Sequence, residues 1–265
     1  MILAIDVGNT NTVIGLMDGQ EVLQTWRITT MSRTTDELGL LWLQLLAHHG
    51  FAARDVAGAV CGSVVPSVVF NFEKATRRYL DCGLMMVNAS TRTGMKIRTD
   101  NPREVGADRI VNAVGAIAKW GGPIIVVDFG TATTFDCVNA DNEYVGGAIA
   151  PGYRISEEAL VSHTAQLPRI EVSRPATAIG KNTVHAMQSG LYFGYVGLVD
   201  ALARRCREEL APNAKVVATG GLATMIADGS EVIEEVDPHL TLRGLALVHA
   251  RSRLRGLRRE TVIGR

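Results

Sequence analysis

The chain has 265 residues, 47% hydrophobic and 20% charged, with 27 basic and 27 acidic side chains and a formal net charge of zero. This balance excludes disordered, collagenous and coiled-coil classes and leaves ample material for a core. It gives nucleic-acid binding by bulk charge no support.

The four cysteines, Cys61, Cys82, Cys137 and Cys206, show no CxxC spacing and no Cys/His cluster. They read as reduced thiols of a cytoplasmic protein. No basic segment followed by a long apolar run opens the chain, so no signal peptide is expected. The longest uncharged stretch, Asn182 to Val199, is interrupted by polar residues and glycines, and no membrane span is expected.

In chain order, Ile2 to Ile5, Thr12 to Met17 and Val22 to Ile28 predict a three-strand meander, with turns at Gly8-Asn9-Thr10-Asn11 and Asp18-Gly19. Thr34-x-x-Glu37 is a capping-box signature. It opens a helix striped by Leu38, Leu41, Trp42, Leu45 and Leu46 and stopped at Gly50. Val56 to Val65 is β-rich, Pro66 opens a helix to Leu80, and Leu84 to Val87 is a short strand. Pro102 starts a further helix that buries Ile110, Val111, Val114 and Ile117 and ends at Gly121-Gly122.

The opening plan then returns. Ile124 to Val127 leads into Asp128-Phe129-Gly130-Thr131-Ala132-Thr133-Thr134, as Leu3 to Ile5 leads into Asp6-Val7-Gly8-Asn9-Thr10-Asn11-Thr12. Asp141-Asn142 stands where Asp18-Gly19 stood. This internal duplication predicts two related α/β lobes, residues 1–118 and 119–265. The second lobe continues with a strand over Tyr144 to Ala150, a turn at Pro151-Gly152 and a loop holding Pro168 and Pro175. A long helix over Thr183 to Leu210, a strand over Val216 to Ala218 and a closing helix over Leu240 to Leu257 complete it.

Paired Asp-x-Gly turns have a definite chemistry. Turns of glycine and small residues present backbone N–H groups to phosphate oxygens, and the carboxylates can hold a hard cation directly or through water. Gly180-Lys181-Asn182-Thr183 is not a P-loop, because the required upstream glycine is Pro175. No G-x-G-x-x-G follows a strand, so a Rossmann fingerprint is unsupported. Glu104-Val105-Gly106-Ala107-Asp108-Arg109 offers a proton acceptor and a cation for an acidic substrate; taken alone, it reads better as a surface charge pair. Thr219-Gly220-Gly221 allows close approach to a flat ligand; taken alone, it reads as a strand-to-helix turn. The histidines show no ligand spacing, and the five arginines from Arg251 to Arg259 read as a solvated helix end.

Together with Gly146-Gly147-Ala148-Ile149-Ala150-Pro151-Gly152, this ordered set of motifs closely resembles the type III pantothenate kinases, or Bvg accessory factor family, from Ile2 to about Arg253. The family belongs to the acetate kinase, sugar kinase and actin superfamily. The resemblance implies an α/β fold of two duplicated ribonuclease H-like, actin-like ATPase lobes with a nucleotide cleft between them. It implies ATP-dependent phosphorylation of pantothenate on its 4′-hydroxyl, the first committed step toward coenzyme A. It assigns ATP phosphates to Asp6, Val7, Gly8, Asn9, Thr10, Asn11, Thr12 and Val13, with further ATP contacts from Thr131, Gly220 and Gly221. It assigns pantothenate to Gly106, Ala107, Asp108, Arg109 and Thr183, with Asp108 as proton acceptor. Asp128 is expected to bind a monovalent cation, K⁺ or NH₄⁺, and Asp6 to meet Mg²⁺ through water. A cytoplasmic homodimer follows from the same resemblance. One position departs: before Asp100-Asn101-Pro102 the family carries a substrate-contacting Tyr, and here stands Thr99. A non-catalytic regulatory protein and a kinase of another hydroxylated acid are the rival readings.

Overall fold

A computed structural model describes residues 1–263, with side chains to Leu254. The side chains of Arg255, Arg258 and Arg259, part of the expected solvated helix end, lie outside the described residues. The chain forms two compact units. One comprises 1–95, 100–118 and the C-terminal segment from His239; the other comprises 96–99 and 119–238.

In the first unit, β1 (Ile2–Val7), β2 (Asn11–Asp18) and β3 (Glu21–Thr29) form the expected meander. After α1 (Thr35–His48), β4 (Ala59–Ser63), α2 (Pro66–Leu80) and β5 (Leu84–Val87), the sheet order is β3-β2-β1-β4-β5. The β1–β2 pair is antiparallel, and β1–β4 and β4–β5 are parallel. Both halves of the capping box form at α1. Glu37 N–H donates to Thr34 Oγ1 at 3.2 Å, and Thr34 N–H donates to Glu37 Oε2 at 2.7 Å.

The helix expected from Pro102 starts later. Asn101 Oδ1 accepts from the Arg103 N–H at 3.3 Å and closes a single 3₁₀ turn over Pro102–Glu104. The α-helix, α3, then runs Ala107–Trp120. Ile110, Val111 and Val114 are buried, and Ile117 is half-buried.

The second unit repeats the plan. Strands β6 (Ile124–Phe129), β7 (Ala132–Val138) and β8 (Tyr144–Pro151) form a meander, joined by β9 (Lys215–Gly220) and β10 (Glu235–Val236) in the order β10-β9-β6-β7-β8. Pairing senses match strand for strand: β6–β7 antiparallel, β6–β9 and β9–β10 parallel. The first hairpin turn of each unit's outer pair carries a left-handed residue, Gly19 at φ 57° and Asn142 at φ 58°. The region after Pro151 is not loop alone, because Tyr153–Ser162 forms α4. Only Tyr153 of this helix is buried, so its apolar periodicity is faint. The long helix α5 (Thr183–Leu210) and the short α6 (Ala223–Ala227) pack on the same core.

The last helix, α7 (Leu240–Ile263), belongs to the first unit. Leu242, Leu245, Ala246 and Val248 pack with Ala4, Val60, Val111 and Val114. Two glycines let α7 meet α3 at backbone distance. A Cβ on Gly244 would stand 2.0 Å from the Val111 carbonyl oxygen, and one on Gly115 would stand 3.0 Å from the Leu240 carbonyl oxygen. Backbone cannot yield as a flexible side chain does, so Gly244→Ala should destabilise the protein by about 1–3 kcal/mol. Denaturant unfolding of the variant checks this; an unchanged midpoint would show that the helices can part without cost.

Candidate active site

In the first unit, β1 delivers Asp6 to the end of the sheet and the chain turns through Gly8 into β2. The Gly8 N–H donates to the Asn11 carbonyl at 3.1 Å and closes the turn. Thr30, just past β3, braces it. Thr30 Oγ1 donates to the Gly8 carbonyl at 2.8 Å and shares a 2.9 Å hydrogen bond with Thr12 Oγ1, while Thr30 N–H donates to the Thr10 carbonyl at 3.0 Å. Asn9, Thr10 and Asn11 are exposed, Asp6, Gly8 and Val13 are half-buried, and Val7 and Thr12 are buried. The result is a short, braced turn of small residues at a strand end, suited to receiving phosphate oxygens. Thr30 carries no motif. Only its place one residue beyond a strand paired with β2 could have flagged it.

Asp108 reaches the same end of that sheet. Gly62 is the cross-strand partner of Asp6. Beside it, 3.8 Å from where a Cβ would stand, is the Cβ of Ala107, the first residue of α3. Asp108 follows as the second helical residue, and its Oδ1 accepts from the Arg109 N–H at 2.8 Å. Asp108, Arg109 and Gly106 are half-buried. The structure therefore gathers Asp6, the Gly8 turn and the 106–109 segment within the first unit. The neighbouring Cys61 thiol is pushed up to about 12 by burial and by the charge of Asp6.

In the second unit, Asp128 and Phe129 end β6, and Gly130 and Thr131 form an exposed turn into β7. The Thr219-Gly220-Gly221 segment lies against it. Thr219 is the partner of Asp128 and Gly220 the partner of Phe129. Gly220 has φ +94°, and a Cβ there would stand 2.6 Å from Asp128 Oδ1, so glycine alone fits. Thr219 Oγ1 is buried without a hydrogen-bond partner. Behind the turn, Thr133 and Tyr195 hydroxyls share a short hydrogen bond. Burial raises the Tyr195 pKa, and the charge of Asp128 adds to it.

Thr183 stands elsewhere in this unit, at the exposed start of α5. It lines a groove of about 780 Å³ with Ser156, Leu160, Leu167, Lys181 and Met187. Asn182 caps the helix by accepting from the His185 N–H at 2.8 Å.

Thr99 ends a segment, 96–99, that lies along β8. Arg98 N–H donates to the Tyr144 carbonyl and Tyr144 N–H to the Lys96 carbonyl, both at 2.8 Å. Thr99 Oγ1 is buried without a hydrogen-bond partner. Glu143 anchors the segment, with Oε1 2.8 Å from Arg98 Nη2 and 3.4 Å from Lys96 Nζ. The Arg98 hydrogen bond, helped by Asn139 and Lys96, holds the Glu143 carboxyl at about 2. A depressed folded pKa stabilises fully above the unfolded value and is lost as pH falls through the folded one. The Tm difference between wild type and Glu143→Gln should therefore be greatest above pH 4.5 and shrink toward pH 2. A difference that does not vary with pH would remove the ion pair from the segment's anchoring.

A family model described as type III pantothenate kinase matches residues 2–205. A type III pantothenate kinase of Myxococcus xanthus (strain DK1622) is 51% identical over 253 residues, covering 95% of this chain and 99% of its own. Among solved structures, a Campylobacter jejuni protein described as a Baf family transcriptional activator aligns with TM-score 0.58 at 17% identity, covering 95% of this chain and 99% of its own. A Sinorhizobium meliloti protein described as a 2-dehydro-3-deoxygalactonokinase aligns with TM-score 0.57 at 14% identity, covering 96% of each chain. At these identities the structural likeness shows the fold alone, an α/β fold with two five-stranded sheets.

Proposed function

The chain belongs to the type III pantothenate kinase family, whose activity is ATP-dependent phosphorylation of pantothenate in coenzyme A biosynthesis, and we propose that Asp108 is the group that accepts the proton of the attacking hydroxyl. The observation that supports this reading is the packing of Ala107 beside Gly62, which seats the first turn of α3 next to Asp6 and its glycine turn.

In this reading the Gly8 turn is a phosphate-binding element of the first unit, and the Gly130 turn with Gly220 and Gly221 is a nucleotide-binding element of the second. The pantothenate 4′-hydroxyl oxygen attacks the γ-phosphorus, the bond to the β–γ bridging oxygen breaks, and the hydroxyl proton passes to Asp108. Asp108 Oδ1 already accepts from its own helix, so the proton goes to Oδ2. Arg109 pairs with the pantothenate carboxylate, and Gly106 and Ala107 lie beside it; Thr99 and Thr183 are proposed pantothenate contacts of the second unit. The unpaired Thr99 hydroxyl is offered as a hydrogen-bond group where the family places a tyrosine ring.

Two cations fit the residues present. Asp6 is a half-buried carboxylate beside the phosphate turn and would meet Mg²⁺ through water; Mg²⁺ neutralises charge on the transferring phosphoryl group. Asp128 and the orphaned Thr219 Oγ1 are paired oxygen donors suited to K⁺ or NH₄⁺. We also assign the enzyme to the cytoplasm, as a homodimer. Among the described residues no helix is long and apolar enough to cross a membrane.

Transfer of labelled γ-phosphate to pantothenate, against a panel of polyols and other hydroxy acids, tests the substrate. Preference for another acid would overturn the assignment. Asp108→Asn should lower kcat about 10²–10⁴-fold with the fold intact. Wild-type turnover in that variant would remove Asp108 from the chemistry. Activity should be high in K⁺ or NH₄⁺ and weak in Na⁺ alone, and Asp128→Ala should lose most activity and most of that preference. Equal rates in sodium and potassium would contradict the cation site.

A further inference from the structure

The Gly8 and Gly130 turns each lead into a threonine that is held from behind. Thr12 pairs across its hairpin with Val7, and Thr133 across its own with Phe129. Both threonines are fully buried. In the first unit the Thr12 hydroxyl is held by Thr30, one residue beyond β3. In the second unit the Thr133 hydroxyl is held by Tyr195, from the middle of α5. The strand plan is duplicated and the brace is not: a helix plays the part that the end of the third strand plays in the first unit.

We propose that Tyr195 is a positioning residue for the nucleotide, setting the Gly130 turn through Thr133; the proposal rests on the reading of that turn as a nucleotide-binding element. Tyr195 reaches both sides of the turn. Its hydroxyl meets Thr133 after the turn, and its ring lies 6.1 Å from the Phe129 ring before it. The Tyr153 ring stands edge-on to the Tyr195 ring at 5.5 Å. Tyr153 follows Gly152, whose backbone packs on the turn itself. A Cβ on Gly152 would stand 2.1 Å from the Thr131 carbonyl oxygen and 3.0 Å from that of Gly130. One buried phenol therefore ties together both strand ends and the element laid against the turn.

Gly130 and Thr131 are exposed, so burial of their own side chains does not set the turn, and its shape comes from the groups behind it. Backbone N–H groups grip a phosphate only where they converge on it, and a misplacement of about 1 Å can cost about 10²-fold in rate. Tyr195 is itself buried, so its effect on the nucleotide passes through Thr133 and Phe129. Burial raises the Tyr195 pKa, so the phenol stays protonated at neutral pH and the hydroxyl pair keeps a proton to share. Removing the phenol oxygen would leave the buried Thr133 hydroxyl without this partner and let the start of β7 shift.

Calorimetric titration of the full-length protein with a non-hydrolysable ATP analogue and Mg²⁺, together with kinase KM values for ATP and pantothenate, tests the proposal. Tyr195→Phe keeps the ring and removes the hydroxyl. It should weaken analogue binding and raise the ATP KM about five- to tenfold, with the pantothenate KM unchanged. Thr133→Val removes the other hydroxyl and should do the same, whereas Thr133→Ser keeps a hydroxyl and should restore nucleotide affinity. If Tyr195→Phe does not fold, the two Thr133 variants carry the comparison. An unchanged ATP KM in Tyr195→Phe and Thr133→Val, or a rise shared equally by pantothenate, would overturn the positioning role. Hydrogen exchange of wild type separates this from the reading beneath it. If the analogue slows exchange at 128–134 and the variants bind it as wild type does, Tyr195 alone loses its role; if it does not slow exchange there, the turn does not bind nucleotide and the proposal falls with that reading.

Discussion

A strand that ends in an aspartate and turns without a side chain in the way is the constraint on which the rest depends. Leu3, Ala4 and Ile5 are buried to 1% exposure or less, with β2 on one side of β1 and β4 on the other. Such a strand cannot shift register without moving its whole apolar set, so the core fixes the position of Asp6 along the sheet. The same holds for Ile124 to Val127 and Asp128, where four consecutive residues are fully buried. Phosphoryl transfer relies on positioning and charge stabilisation more than on covalent chemistry. A rigid sheet end that presents a carboxylate and a small-residue turn supplies both.

Neighbouring elements complete each sheet end in a different way. In the first unit, α7 closes over α3 through Gly244, and α3 in turn sets Ala107 against Gly62. The helix α3 is thus clamped by a segment from the far end of the chain. In the second unit, Gly220 lets β9 end directly against Asp128 Oδ1. The duplicated strand plan supplies two equivalent sheet ends, and the helices and strand ends laid over them make their surroundings differ.

Much of this was legible in residue order. Thr34 and Glu37 announce α1, Pro66 announces α2, and Asp6 and Asp128 mark the duplication, because each signal is local and strongly patterned. The rest depends on contacts that local pattern does not encode. Pro102 suggests a helix start, yet the Asn101 side chain closes a separate turn and defers the helix to Ala107. The helix Tyr153–Ser162 buries one residue and so has no stripe to read. Thr30 acts by bracing Gly8 and Thr12 across a strand pair, a role visible only once register is known. The Thr219–Asp128 pairing and the return of α7 to the first sheet are likewise tertiary. For the chemistry, the ordered motif set carried more than any single segment, since the stretch around Asp108 reads by itself as a surface charge pair.

Hydrogen exchange with and without Mg²⁺ and a non-hydrolysable ATP analogue is the most direct test of the duplicated turns as phosphate-binding elements. Slowed exchange in peptides covering both 6–13 and 128–134 is the predicted result. Unchanged exchange in either segment at saturating nucleotide would contradict the account.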